Sequence, residues 1–340
     1  MSGNSTRKLD HLRICLEEDV HAPVLTAGLE RYHFRHQALP ELALSDVRLD
    51  TTFLGKPLRA PLLISAMTGG APDTAAINRN LARAAQALGL AMGVGSQRAA
   101  IEDPTQAHTY QVREVAPDIL LFANLGAVQL NYGYGLEECQ QAVDMISADA
   151  LVLHLNPMQE CLQPGGNTNF AGLADKIAQI CRGLSVPVVV KEVGWGISDW
   201  VARLLVEAGV AAIDVAGAGG TSWSEVEKHR GQGQRSRTLA EHFAHWGIPT
   251  AEAIQLVRAT APDIPIIASG GIRTGPDLAV ALALGANIAG MALPLLEPAT
   301  RSPEAVVEVL NVVIEGLRIA MFCAGAADIP ALKATPVEVR

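Results

Sequence analysis

The chain has 340 residues, 49% of them hydrophobic and only 4% aromatic, with a formal net charge of −9. That length admits two domains or one large barrel with extensions, and a core drawn from Ala, Val, Leu, Ile and Gly suits packed α/β layers better than a β-sandwich. The negative balance argues against a nucleic-acid binder, which shows a basic face; it leaves room for a local basic pocket that takes a phosphorylated small molecule.

Residues 1–60 are polar, with a helix expected over about 8–18 and a connection ending at Gly55-Lys56-Pro57. They form an N-terminal extension, expected to cover the barrel or lie across its mouth. Eight short apolar runs follow: PLLISA (61–66), LAMGVG (90–95), ILLFANLG (119–126), ALVLHLN (150–156), VPVVVKEVG (186–194), AAIDVAGAGG (211–220), IPIIASGGI (264–272) and ANIAGMAL (286–293). Amphipathic segments such as 74–89 and 198–209 separate them. Strands apolar on both faces and alternating with helices mean a parallel sheet covered by helices. Eight such units predict a closed (β/α)8 TIM barrel over residues 61–323, with an open doubly wound sheet as the alternative. The charged, glycine-bearing stretch 221–247 reads equally as a lid or as a solvated loop. A last amphipathic helix is expected over 302–323, and 324–340 as a C-terminal tail.

The N-terminal segment has no apolar stretch of signal-peptide type. The longest apolar run, 278–296, is interrupted by Gly285, Asn287 and Gly290 and falls short of the roughly 20 residues of a membrane span. The five scattered cysteines show neither CxxC nor zinc spacing. The expectation is a cytoplasmic chain with reduced thiols and no membrane or nucleic-acid partner.

In such a barrel the site lies at the C-terminal strand ends. Those ends carry Ala66-Met67-Thr68-Gly69-Gly70, Ser96-Gln97-Arg98, Asn124, His154 to Glu160, Lys191, Ala218 to Thr221, Gly270 to Arg273, and Ala292-Leu293. The two glycines of ASGGIR let backbone N–H groups approach a phosphate beside a helix N-terminus. GMAL after the eighth run and GAGGT (217–221) point the same way. Lys191 ends a run of valines. It could form a Schiff base, stabilise negative charge on a flavin ring, or sit in an ion pair with Glu192 or Asp214. Backbone groups of AMTGG, the Asn124 amide and a phosphate cradle favour the flavin.

SAMTGG (65–70), GVGSQR (93–98), HLNPMQE (154–160), KEVGWG (191–196), DVAGAGGTSW (214–223), ASGGIR (268–273) and the N-terminal RKLDH (7–11) together resemble the type 2 isopentenyl-diphosphate isomerases. The resemblance runs in order from residue 7 to about 293. It implies an FMN-dependent barrel that interconverts isopentenyl and dimethylallyl diphosphates with no net redox change, using reduced FMN at its N5 as acid and base, Mg²⁺ on the diphosphate, and NADPH as reductant. It also implies a homotetramer or homooctamer. Carried over residue by residue, Glu160 resembles the metal ligand, and Gln159 the residue beside the reacting alkene. His154 and Asn156 would bond the diphosphate or hold Glu160. Arg7, Lys8, Ser96, Gln97 and Arg98 complete the diphosphate clamp, the Arg98 fork suiting a phosphate. FMN would lie against Ala66, Met67, Thr68, Ser96, Asn124, Lys191, Thr221, Gly271, Ile272, Arg273, Ala292 and Leu293. Gln159, His154 and Lys191 would serve catalysis, with Met67 and Trp223 keeping water out. One departure is Ala216, where the family often has serine.

Two rival enzymes share the barrel. An FMN-dependent α-hydroxy-acid oxidase needs a histidine base after the sixth strand, and AGAGGTSW (216–223) has none. An inosinate dehydrogenase-like enzyme needs a loop cysteine; Cys139 and Cys181 fall in predicted helices, and Cys161 lies beside Glu160. A barrel kept as a bare scaffold would have lost its polar strand ends.

Overall fold

The computed structural model describes residues 3–231 and 233–340, residues 3–6 by their backbone alone. The eight apolar runs become parallel strands β1 (Leu62–Ile64), β2 (Ala91–Gly93), β3 (Leu121–Gly126), β4 (Ala150–His154), β5 (Val188–Lys191), β6 (Ala212–Asp214), β7 (Ile266–Ser269) and β8 (Ile288–Met291). They close into a barrel in chain order, β8 pairing with β1. Helices such as Thr74–Leu88, Asp199–Glu207 and Gly275–Ala283 connect them.

Successive strand residues face opposite sides. Leu151, Leu153, Val188 and Val190 point outward to the helices. Leu63, Ala91, Phe122, Val152, Val189, Ala212, Ile267 and Ile288 share one apolar layer inside the barrel. Carried two residues further, the inward positions are Ser65, Gly93, Asn124, His154, Lys191, Asp214, Ser269 and Gly290. Cross-strand register agrees: His154 stands opposite Lys191, Lys191 opposite Asp214, and Ser269 opposite Gly290. An apolar plug therefore carries a polar floor one layer above it.

The opposite end is closed by a hairpin, Thr51–Phe53 with Lys56–Leu58. Its two-residue turn, Leu54 at φ 46° and Gly55 at φ 80°, has the left-handed geometry that matches strand twist. Phe53 and Leu58 cap the apolar layer. The rest of the extension does more than cover the mouth. Tyr32–Phe34 pairs antiparallel with Val337–Val339, and Arg48 N–H bonds the Ala327 carbonyl at 2.9 Å. Residues 324–340, expected as a separate tail, are thus built into the extension, with a helix at Ile329–Ala334 after the long helix Pro303–Ala324. A three-residue V-E-V strand is too short to show a period.

At the mouth, 221–247 folds as two helices, Trp223–Arg230 and Gln234–His242. The arm helix, Gly3–Glu17, packs on the first through Ile14, Cys15, Val20, Trp223 and Val226. Backbone hydrogen bonds then stitch the chain to the loop after β6: Ser222 N–H to Val20 O at 2.8 Å and Ala22 N–H to Gly220 O at 2.9 Å. No helix among the described residues is long and apolar enough to cross a membrane.

Candidate active site

One cavity at the C-terminal strand ends gathers every residue given a catalytic, substrate, cofactor or metal role in the sequence except Gln97. Gln97 is fully buried; its amide donates to Ala142 O at 2.8 Å and accepts from Asn124 N–H at 2.9 Å. It is a strut under Asn124, and its side chain is spent on the backbone rather than on a ligand.

The polar floor holds two linked groups of side chains. His154 Nδ1 lies 2.8 Å from Asn124 Oδ1. Lys191 Nζ donates to Glu192 O at 2.6 Å and stands 3.8 Å from the Asp214 carboxylate, which accepts from Ser269 Oγ at 2.6 Å. Burial, then the charges of Lys191 and Lys8, push the His154 pKa down to about 3, so its imidazole is neutral and, if Nδ1 carries the proton, Nε2 is an acceptor. Ser65 Oγ is buried in the floor without a partner.

Two anion sites lie on opposite rims. The first joins the loops after β6, β7 and β8. Gly271 has φ 77°, and a Cβ on Gly220 would stand 2.4 Å from its amide nitrogen, so only glycines let these loops touch. Ala292 precedes a helix, Leu293–Arg301, whose first turn faces the cavity. This arrangement suits a phosphate. Arg273 N–H is committed to Asp277 Oδ2 at 3.2 Å, so its guanidinium is what Arg273 offers an anion. The second site is cationic. Arg7, Lys8 and Arg98 enter from the arm helix and from the helix after β2. Arg98 is held by Glu102 at 2.6 Å and Asn167 at 3.1 Å. Burial, partly offset by the charge of Glu160, lowers the Arg7 pKa. Burial and the neighbouring Arg7 bring the Lys8 pKa down to about 7.

Glu160 faces this cluster, and Asn156 holds it rather than His154: Asn156 Nδ2 donates to Glu160 Oε1 at 3.0 Å. Asn167 N–H donates to Oε2 at 2.6 Å, and Gln163 also bonds that oxygen. Asn156 Oδ1, buried beside them, has no partner. No cluster of three or more acidic, His or Cys side chains exists among the described residues. One carboxylate plus one free amide oxygen still fits Mg²⁺, which takes few protein ligands when phosphate oxygens and waters supply the rest. The floor and cradle likewise fit FMN: Asn124, Lys191 and Ser65 Oγ for a polar ring edge, and backbone of 66–68 along the ring.

Several site groups escaped the sequence reading. His11, Leu12 and Cys15 line the cavity with Arg7 and Lys8, at the spacings that share a helix face. His11 Nε2 contacts Glu227 Oε1 at 3.0 Å and its ring meets Trp223 edge-on at 5.2 Å. Burial opposes ionisation of Glu227, but His11 and Arg230 outweigh it and lower the pKa. Ala216, buried in the wall with φ 36°, holds its N–H on Asp214 at 3.2 Å.

The FMN-dependent dehydrogenase family model matches residues 154–338. Solved structures similar in fold include a mandelate oxidase variant with a monooxide FMN adduct (TM-score 0.65, 19% identity, 93% of this chain and 90% of that one). A lactate oxidase from Pediococcus acidilactici, described as putative, gives TM-score 0.67 at 18% identity over 92% and 84%. At such identity the likeness concerns the fold alone. Relatives named isopentenyl-diphosphate delta-isomerase are far nearer in sequence. That of Nostoc sp. (strain PCC 7120) is 57% identical over 328 residues, 96% of this chain and 94% of the relative. That of Xanthobacter autotrophicus is 55% identical over 337 residues, 99% and 98%, and that of Rickettsia peacockii 48% over 333 residues, 98% and 97%. Matched nearly end to end by these relatives, the chain belongs to the isopentenyl-diphosphate delta-isomerases built on the FMN-dependent dehydrogenase barrel.

Proposed function

We propose that the chain interconverts isopentenyl and dimethylallyl diphosphates with FMN in the barrel mouth and Mg²⁺ on the diphosphate. The observation that carries this reading is the pair of anion sites on opposite rims of one cavity. The cradle after β6 to β8 takes the cofactor phosphate, and the arm's cations take a second, more highly charged anion. The wall between them includes Met67, Leu12 and Trp223, a lining for a short hydrocarbon.

Reduced FMN, when bound, supplies the acid–base function that adds a proton to one alkene carbon and takes one from another. Lys191, rising from the floor, holds negative charge on the cofactor ring. Glu160 and Asn156 Oδ1 would hold Mg²⁺, which would offset part of the diphosphate charge. Arg7, Lys8 and Arg98 fix the remaining oxygens, which sets the alkene's distance from the floor. Gln159 orients the alkene. Apolar side chains and the closed arm keep water from the cation-like carbon centre. The isomerisation has no net redox change, so a reductant such as NADPH would be needed only to bring bound FMN to its reduced form.

The α-hydroxy-acid oxidase reading is weaker, because the wall over residues 216–223 has no histidine to abstract a proton. The test is conversion of isopentenyl diphosphate under anaerobic conditions with FMN, Mg²⁺ and NADPH. Dimethylallyl diphosphate should accumulate to an equilibrium mixture, with NADPH used only to reduce the bound flavin. Stoichiometric NADPH consumption, or turnover undiminished without FMN, would sink the reading.

A further inference from the structure

The arm helix carries Lys8 into the cavity, and what receives Lys8 there is a residue that does not line the cavity. Tyr110 is fully buried at the end of a 3-10 segment, Pro104–Thr109. Its hydroxyl donates to Ser96 O at 2.7 Å. Lys8 Nζ donates to the same carbonyl at 2.6 Å and to the Tyr110 hydroxyl at 2.5 Å, and it stands 5.1 Å from the ring centre. A phenol has one proton. Burial raises the Tyr110 pKa, so that proton stays and is committed to Ser96. The oxygen is left with lone pairs turned to Lys8.

The receiver is anchored independently of the arm. The neighbouring Thr109 accepts Gly70 N–H at 2.8 Å and its carbonyl accepts from Asn78 at 2.9 Å. The ring fills the space above the loop after β1: a Cβ on Gly69, at φ 146°, would lie 2.0 Å from Tyr110 Cε1, and one on Gly70 would lie 2.7 Å from the hydroxyl and 3.0 Å from Lys8 Nζ. Those glycines leave the room that the phenol and the ammonium occupy. Across the mouth, His11 rests on Glu227. The arm thus spans the mouth between two footholds, and Tyr110 is the one on the β1–β2 side.

We propose that Tyr110 is a positioning residue, the preformed dock that seats Lys8 and thereby holds the arm helix closed over the diphosphate site. The proposal rests on the reading of Lys8 as an anion-binding group, and its test is chosen to separate the two. It begins with amide exchange of residues 3–17 in the ligand-free protein, which needs no catalysis. Tyr110→Phe keeps the ring and removes the oxygen; exchange in the arm should rise on the order of tenfold, as for loss of a hydrogen bond to a charged group. FMN affinity and the thermal midpoint, followed as folding controls, should change little. Lys8→Met, which also gives up the Ser96 carbonyl, should release the arm at least as much, and adding Tyr110→Phe to it should change nothing further, because the contact between the two is already gone. Affinity for inorganic pyrophosphate with Mg²⁺ should fall about tenfold in Tyr110→Phe and further in Lys8→Met, which also loses a cation, with no additional loss in the double variant.

Unchanged arm exchange in Tyr110→Phe, an additive effect in the Lys8→Met background, or unchanged pyrophosphate affinity would each overturn the proposal. If the arm behaves as stated but isopentenyl diphosphate is not isomerised, the functional reading fails and the dock stands.

Discussion

Glu160 and Lys8 are the residues on which the proposed diphosphate site turns. Glu160 accepts three hydrogen bonds that aim it beside the free oxygen of Asn156. Glu160→Gln keeps its size and one acceptor while removing the charge. Isomerisation at limiting Mg²⁺ should drop on the order of 10²-fold in kcat/KM with FMN affinity unchanged; full activity would mean that the metal is held elsewhere. Lys8 is buried with neutral partners, faced by Arg7 on its own helix and by Glu102 across the site, and titrates at about 7 instead of 10.5. Between those values the unfolded chain binds a proton that the folded one does not. Lys8 therefore adds stability as pH rises from about 7 to 10.5, and that contribution is lost as pH falls through the same window. Binding has the opposite sign, since an anion wants the ammonium. Pyrophosphate affinity should weaken as pH climbs from 7 toward 9, and Lys8→Arg, charged throughout, should flatten that profile.

At the scale of elements, the strands' two-residue period assigned roles that propensity alone does not. The eight runs in the sequence already contained the barrel, because a parallel strand buried on both faces leaves a continuous apolar signature. His154 and Lys191 stood out as polar ends of such runs. Ser65 did not, since one hydroxyl among small residues carries little signal until the barrel's inward parity is fixed. Gln97 looked like its neighbours Ser96 and Arg98, and nothing in the local pattern shows that its side chain turns under Asn124. His11 could have been found from its helical spacing to Arg7 and Lys8; Glu227 could not, because its partner lies on a distant element. The loop after β5 shows the cost of such hidden ties. Glu192 is buried and its carboxylate accepts the N–H groups of Val193, Gly194 and Trp195 at 2.5–2.7 Å. Glu192→Ala strands three donors, that of Trp195 buried and the other two half-buried, and should cost about 2–4 kcal/mol, read as a lowered thermal midpoint together with weaker FMN retention, because Val193 and Gly194 line the cavity. Phe53→Ala in the hairpin plug should cost a similar ~3–5 kcal/mol, while FMN affinity in the folded protein stays unchanged.

Across the whole molecule, the extension, the helices after β6 and the C-terminal residues act as one cover. It is fastened at the mouth by the arm and at the side by the strand pair of 32–34 with 337–339. Deleting residues 336–340 should lower the thermal midpoint by a few degrees and speed amide exchange over 32–34, with the barrel strands protected as before. Equal loss of protection in the strands would show that the cover and barrel do not separate.

That strand pair has a meaning in time as well as in space. Tyr32 precedes every strand of the barrel, and its partner, Val339, follows them all. The segment holding Tyr32 therefore waits, its own strand unpaired, while the barrel units between the two partners are made. The loop after β6, to which residues 20–22 are stitched, also arrives long after them. Seating of residues 20–22 therefore follows the sixth strand, and until then the growing barrel stands open at its mouth.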